Sequence, residues 1–248
     1  MNYLLNAIKY HGLKWLRLGW YNIFYRLNKW KNLEGIYIPV YMRYGYSVLR
    51  FIDDGTYECE ELQIIKSKLK STDTVLELGT GIGFISAYCA TKVGEENVFT
   101  FEANPFMAPV ITEVFKKNKV SPNQRIALLG NNKLTNEFTA QKNFLSSSQK
   151  DDQKGGKKIS VPLLDLNETI KETAPSYLVM DIEGNEFEVF SIINFQSIFK
   201  VQFELHPLLL KQEEIDFIFH KLTDHHFVKD AAVSTDKNYY FERNIYRS

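Results

Sequence analysis

Four acidic residues stand where apolar runs of this chain should end as strands. Glu77 follows Val75-Leu76, Glu102 follows Val98-Phe99-Thr100-Phe101, Asp181 follows Tyr177-Leu178-Val179-Met180, and Glu204 follows Val201-Gln202-Phe203. His206 comes two residues after Glu204, so the two side chains point the same way if the strand continues. Asp181 also opens the turn Asp181-Ile182-Glu183-Gly184-Asn185-Glu186. A carboxylate or imidazole at a strand end can take the proton of a hydroxyl that is being alkylated. Asp181 and His206 are therefore the leading candidates for a general base, with Glu183 and Glu204 as partners that orient it or hold charge. The same four residues could instead hold a hard divalent cation such as Mg2+, which would lower the pKa of a bound hydroxyl. Glu183 has a plainer reading as an acid stabilised by the N-terminus of a helix.

The stretch Val75-Leu76-Glu77-Leu78-Gly79-Thr80-Gly81-Ile82-Gly83-Phe84 says which group would be transferred. A short apolar strand carrying an acid runs into three alternating glycines and then an apolar helix start. Glycines there permit a sharp turn and let a ligand lie against the main chain. A carboxylate in front of the loop is wrong for a phosphate and right for a cofactor with a free amino group. S-adenosylmethionine has such a group. A dinucleotide fingerprint G-x-G-x-x-G would need its third glycine where Phe84 stands, so a nicotinamide oxidoreductase is the weaker reading. Glu102 lies about twenty residues beyond the loop, the distance at which an acid meets ribose hydroxyls. Asn131, after the next strand, is a candidate near the adenine.

These residues need a scaffold of alternating strands and helices. The pattern predicts helices over 58–69, 107–118, 187–193 and 212–222, and strands at 75–78, 98–102, 124–129, 177–180, 201–204, 227–228 and 239–241. Such alternation implies a mostly parallel, doubly wound α/β sheet, with ligands at the carboxyl ends of its strands. Residues 1–57 read as an appendage: a helical segment, then a β-hairpin of Ile36–Val40 and Tyr44–Arg50. Residues 58–248 form the main domain. Ser146 to Lys158, SSSQKDDQKGGKK, reads as a mobile loop.

Composition narrows the function class. An apolar fraction of 44% with 24% charged residues is that of a soluble globular protein. The formal net charge of zero argues against nucleic-acid binding through bulk charge. Two cysteines, Cys59 and Cys89, have no metal-type spacing and suit a reducing, cytoplasmic setting. Residues 1–33 contain no acid but six Lys or Arg and all three tryptophans. That segment could touch an anionic membrane surface peripherally. Its plainer reading is a helix packed on the domain or on a second copy in a homo-oligomer. A non-catalytic binding module of the same fold is the third reading of the whole chain.

Taken together the chain resembles the FkbM-type methyltransferase family. The resemblance rests on the glycine loop Glu77–Gly83, on Phe101-Glu102-Ala103-Asn104-Pro105, on Val161-Pro162-Leu163-Leu164-Asp165-Leu166, on Leu178–Glu186, and on Phe203-Glu204-Leu205-His206. It implies a class I S-adenosylmethionine-dependent O-methyltransferase with a Rossmann-like, seven-stranded sheet. Its acceptors would be hydroxyls of sugars, polysaccharides, glycoconjugates or secondary metabolites. Glu77, Gly79, Thr80, Gly81, Gly83, Glu102, Asn104 and Asn131 would be cofactor-binding. Two departures stand out: Glu77 and Thr80-Gly81-Ile82 replace the family's Asp-x-Gly-Ala-Asn-x-Gly, and Val179-Met180-Asp181 replaces its Lys-x-Asp.

Overall fold

The computed structural model describes Leu16, Gly19 and residues 29–41, 44, 46–131, 137–140 and 157–243. The chain divides into two compact units, Met1–Tyr57 and Glu58–Ser248. In the first, β1 (Trp30–Leu33) pairs antiparallel with β2 (Ile36–Pro39) around a Glu34-Gly35 turn in which both residues have positive φ. Helix α1 (Tyr46–Asp54) follows. The hairpin predicted from Ile36–Val40 and Tyr44–Arg50 is thus displaced: β2 pairs backward with β1, and the second run is helical. Leu49 and Ile52, three apart, are fully buried while Ser47 and Phe51 are exposed, so the helical period outweighs the strand-like residue types. The basic aromatic segment falls outside the described residues, apart from Leu16, Gly19 and its last few positions.

The second unit begins with α2 (Cys59–Lys68), then β3 (Val75–Leu78), the glycine loop, α3 (Phe84–Val93), β4 (Val98–Glu102), α4 (Ala108–Asn118) and β5 (Asn123–Ile126). Three short strands come next: β6 (Leu128–Gly130), β7 (Glu137–Ala140) and β8 (Lys157–Ser160). Then come β9 (Leu163–Asp165), α5 (Leu166–Thr173), β10 (Tyr177–Met180), α6 (Glu186–Ile192), β11 (Lys200–Glu204), α7 (Gln212–Asp224), β12 (Phe227–Lys229) and β13 (Asn238–Arg243). The main sheet has seven strands in the order β12-β13-β11-β10-β3-β4-β5. All pairs from β11 to β5 are parallel, and β13 and β12 are antiparallel additions at one edge. Every residue of β3 and β10 is buried, as central parallel strands covered on both faces require.

One predicted strand is divided. Residues 124–129 break at Ala127, whose N–H donates to the Glu102 carbonyl, and β6 then leaves the sheet to pair with β9. The predicted loop is shortened at its far end, since Lys157 and Lys158 pair in β8 with β7; its remainder lies outside the described residues. Leu166, Ile170, Val189, Phe190, Ile215, Ile218 and Leu222 project from α5, α6 and α7 into one core with Leu76, Leu178, Val201 and Phe203 of the sheet. At about 25 cal/mol per Å2 of apolar surface removed from water, this packing is the main force holding the strand ends in register. Among the described residues no helix is long and apolar enough to cross a membrane.

Candidate active site

Register brings the strand-end acids together. Met180 of β10 pairs with Leu78 of β3 on one side and Phe203 of β11 on the other, so the chain leaves all three strands at one level. Gly79 follows β3 there, Asp181 follows β10, and Glu204 ends β11. A recess at this level is lined by Glu58, Glu61, Glu77, Gly79, Asp181 and Glu204, with Ile85, Val179, Met180, Gln202 and Asn238. Five of these residues are acidic and none is cationic.

His206 is the hub of the acidic residues. Its Nδ1 lies 2.9 Å from Glu186 Oε1, a side chain with no solvent exposure. Its Nε2 faces Glu183 Oε2 at 3.4 Å, Asp181 Oδ1 at 3.8 Å and Glu204 Oε1 at 3.9 Å. Burial by itself would depress the imidazole. The Glu186 hydrogen bond and the surrounding carboxylates outweigh it and hold the pKa up at about 9. Burial, together with the neighbouring Glu204 and Glu183, pushes Asp181 well above the usual carboxylate range. Burial likewise lifts Glu204 to about 7, with His206 pulling the other way.

The four predicted residues Asp181, Glu183, Glu204 and His206 are therefore one cluster. Glu183 is not a helix-capping acid: it sits in the turn before α6 with φ +52. The acid at the helix start is Glu186, whose Oε1 accepts the Gly184 N–H at 3.0 Å. Sequence reasoning passed over Glu186 as the histidine's partner. A signal was available, since the turn Asp181–Glu186 and the segment ending at His206 follow neighbouring strands. Glu61 was also missed. It lies on α2, and its half-buried carboxyl is raised chiefly by desolvation.

The glycine-loop side is drier than the sequence suggested. Glu77 is 3% exposed, and its Oε2 accepts hydrogen bonds from Ser86 and Thr100. Thr100 sits opposite Glu77 in the β3–β4 register and also contacts the Thr80 hydroxyl, so Thr80 is committed to the interior. Desolvation raises Glu77 to about 7, against the pull of the two hydroxyls. Glu77 still lines the recess. Gly79 has φ +91, and a Cβ there would fall 1.7 Å from the Asp181 carbonyl oxygen. The close approach that requires this glycine is thus to a neighbouring strand.

Glu102 joins loop and strand. Its Oε2 accepts the Gly81 N–H at 3.0 Å and its Oε1 the Asn104 N–H at 2.7 Å, while burial raises its pKa to about 7. A carboxylate offers about four acceptor positions, and with the Ala103 N–H also on this carboxyl one is left for a ribose hydroxyl. Asn104 itself is 1% exposed and accepts the Phe106 N–H with its side chain. Asn131 follows β6, outside the seven-stranded sheet.

Comparison with known proteins decides the family. The model of the methyltransferase FkbM domain matches residues 48–230. The chain belongs to the FkbM methyltransferase family. This FkbM protein is accordingly an S-adenosylmethionine-dependent methyltransferase with the α/β sheet described above. No curated protein matches it in sequence. Similar solved structures include precorrin-6y C5,15-methyltransferase from Geobacter metallireducens, at 12% identity and TM-score 0.43, covering 70% of this chain and 73% of that one. A methyltransferase from Pyrococcus furiosus shows 12% identity and TM-score 0.42, covering 77% and 85%. TrmK of M. capricolum, in complex with S-adenosylhomocysteine, shows 9% identity and TM-score 0.43, covering 74% and 68%.

The residues present suit the cofactor. Its sulfonium and amino groups are cationic, and the recess beside the glycine loop is lined by carboxylates and by no lysine or arginine. In the FkbM family pattern a lysine precedes the Asp181 position by two residues. Here that position is Val179, 6% exposed and lining the recess, so the wall beside the acids is apolar.

Proposed function

We propose that this FkbM domain methylates a hydroxyl of a sugar, polysaccharide or other glycoconjugate. One observation carries the reading: the recess at the strand ends is walled by five carboxylates, Gln202 and Asn238, beside the glycine loop. Carboxylates accept hydrogen bonds from several hydroxyls at once, which suits a polyol better than a flat apolar acceptor. The family resemblance points to the same substrate class.

Glu77, Gly79, Gly81 and Gly83 would hold the methionine end of the cofactor, and Glu102 the ribose. The cofactor supplies a methyl group on a cationic sulfur. A hydroxyl taking that methyl, with the sulfur leaving as a neutral thioether, would pass its proton to the carboxylates grouped around His206. Asp181 is best placed among them, because it lines the recess and its Oδ1 receives no hydrogen bond. His206, anchored by Glu186, would hold these acids in place.

The test is transfer of labelled methyl from S-adenosylmethionine to a panel of mono- and oligosaccharides, glycolipids and phenolic metabolites, with the product bond identified by mass spectrometry. A methyl ether on a glycan, lost in Asp181→Asn, is expected. Labelling confined to phenols would replace the glycan reading.

A further inference from the structure

We propose that Asp181, Glu204 and His206 form a binding site for a first-row divalent transition ion, Mn2+ or Zn2+, at the carboxyl ends of β10 and β11. One ligand atom from each of the three residues lies within 4.8 Å of the other two. Metal–ligand bonds of about 2.0–2.2 Å place neighbouring donors roughly 3–3.6 Å apart, so small side-chain movements would close the set on an ion. Glu183 Oε2, 3.4 Å from His206 Nε2, flanks the same space.

One unpartnered oxygen points to a cation here. Asp181 Oδ1 is closed off from solvent and has no hydrogen-bond donor. It lies 3.8 Å from His206 Nε2, on the side of the ring away from Glu186. A shielded carboxylate oxygen without a donor is costly, and a metal ion beside it offsets that cost. The imidazole geometry is that of a ligand: Nδ1 is held by a carboxylate while Nε2 faces the acids. Histidines that bind metals almost always have their second nitrogen fixed in this way.

The donor set also selects the ion. Mg2+ and Ca2+ prefer oxygen ligands throughout, whereas an imidazole between carboxylates suits Mn2+ or Zn2+. The site lies on the same recess as Glu77 and Gly79. There the ion would lower the pKa of an acceptor hydroxyl whose proton passes to the same carboxylate cluster. That use rests on the proposed hydroxyl methylation; the binding itself does not.

The experiment is metal titration of the full chain after chelator treatment. Mn2+ is followed by loss of its free electron paramagnetic resonance signal, and Zn2+ and Mg2+ by competition against it. One saturable Mn2+ site is expected, displaced by Zn2+ but not by equimolar Mg2+. Affinity should fall at least about tenfold in His206→Ala and Glu204→Gln, and about 10- to 100-fold in Glu186→Gln. Circular dichroism melting would confirm that each variant is folded. No saturable binding by the folded native chain, or equal affinity in all variants, overturns the proposal. Binding of S-adenosylhomocysteine, measured in parallel with chelator present, separates this outcome from failure of the methyltransferase reading.

Discussion

Gly79 lies against the carbonyl of Asp181, so close that a Cβ at Gly79 would sit 1.7 Å from that oxygen. The glycine loop and the acidic turn, about a hundred residues apart in the chain, thus share one backbone contact. The Asp181 N–H also donates to the Leu78 carbonyl at 3.0 Å, which pins the turn from the other side. Cofactor loop and acid cluster therefore have a fixed spacing.

Gly79→Ala should accordingly destabilise the protein by roughly 3 kcal/mol or more, through backbone displacement added to a positive φ. Gly35→Ala is the control: its φ is also +91, but no atom lies within 4 Å of the added carbon. That change should cost about 1–2 kcal/mol from backbone conformation alone. Thermal or denaturant melting of both variants checks the contrast. Equal losses would mean that the contact with Asp181 is not tight in solution.

Glu102→Ala should weaken binding of S-adenosylmethionine by about tenfold or more. It removes an acceptor for the ribose and also frees the Gly81 and Asn104 N–H groups that shape the loop. Hydrogen bonds to a charged group are worth about 1.5–3 kcal/mol, which corresponds to this range of affinity. Calorimetric titration reads it directly, and unchanged affinity would remove Glu102 from the site.

Glu77 should leave a signature in the pH dependence of stability. Its folded pKa, about 7, lies above the ordinary value of 4.5, so the folded state binds its proton more tightly than the unfolded state does. The contribution is fully present below about pH 4.5 and is lost as pH rises through 7. Its size is on the order of 3 kcal/mol. Glu77→Gln has no such proton to lose, so its stability relative to the native chain should improve between pH 5 and pH 8. Parallel denaturant curves at the two pH values would contradict this.

Asp73 and Lys200 form a buried pair below the sheet's amino end, with Lys200 Nζ 2.6 Å from Asp73 Oδ2 and both residues at most 5% exposed. Asp73 also accepts from Lys70 N–H and the Ser176 hydroxyl, and Lys200 donates to the Lys68 carbonyl. Asp73→Ala strands a buried cation and should cost about 3–5 kcal/mol. Binding of the cofactor at the opposite strand ends should survive at a temperature where the variant is folded. Denaturant unfolding and a cofactor titration on the same sample test both halves.

Much of the scaffold was legible in the sequence because local pattern carries it. A continuous apolar run marked β10, a short apolar run carrying one acid marked β3, the glycines marked the turn into α3, and acids marked the strand ends. Fold class, the glycine loop and the acid-rich strand ends follow from chain-local chemistry of this kind. Tyr44–Arg50 was misread as a strand because aromatic and β-branched residues favour strands, while the spacing of Leu49 and Ile52 favours the helix Tyr46–Asp54.

What only the tertiary structure decided is which of those acids share an environment. Glu77 and Asp181 look alike as strand-associated acids. Strand order places Glu77 opposite Thr100, where hydroxyls hold it inside, and Asp181 beside Glu204, where like charges crowd it. The pairing of His206 with Glu186 likewise depends on β10 and β11 being neighbours in a given register. Consecutive strands are often neighbours, but position in sequence does not by itself fix strand order and register, which are set by long-range burial of side chains. Electrostatic environment follows from it.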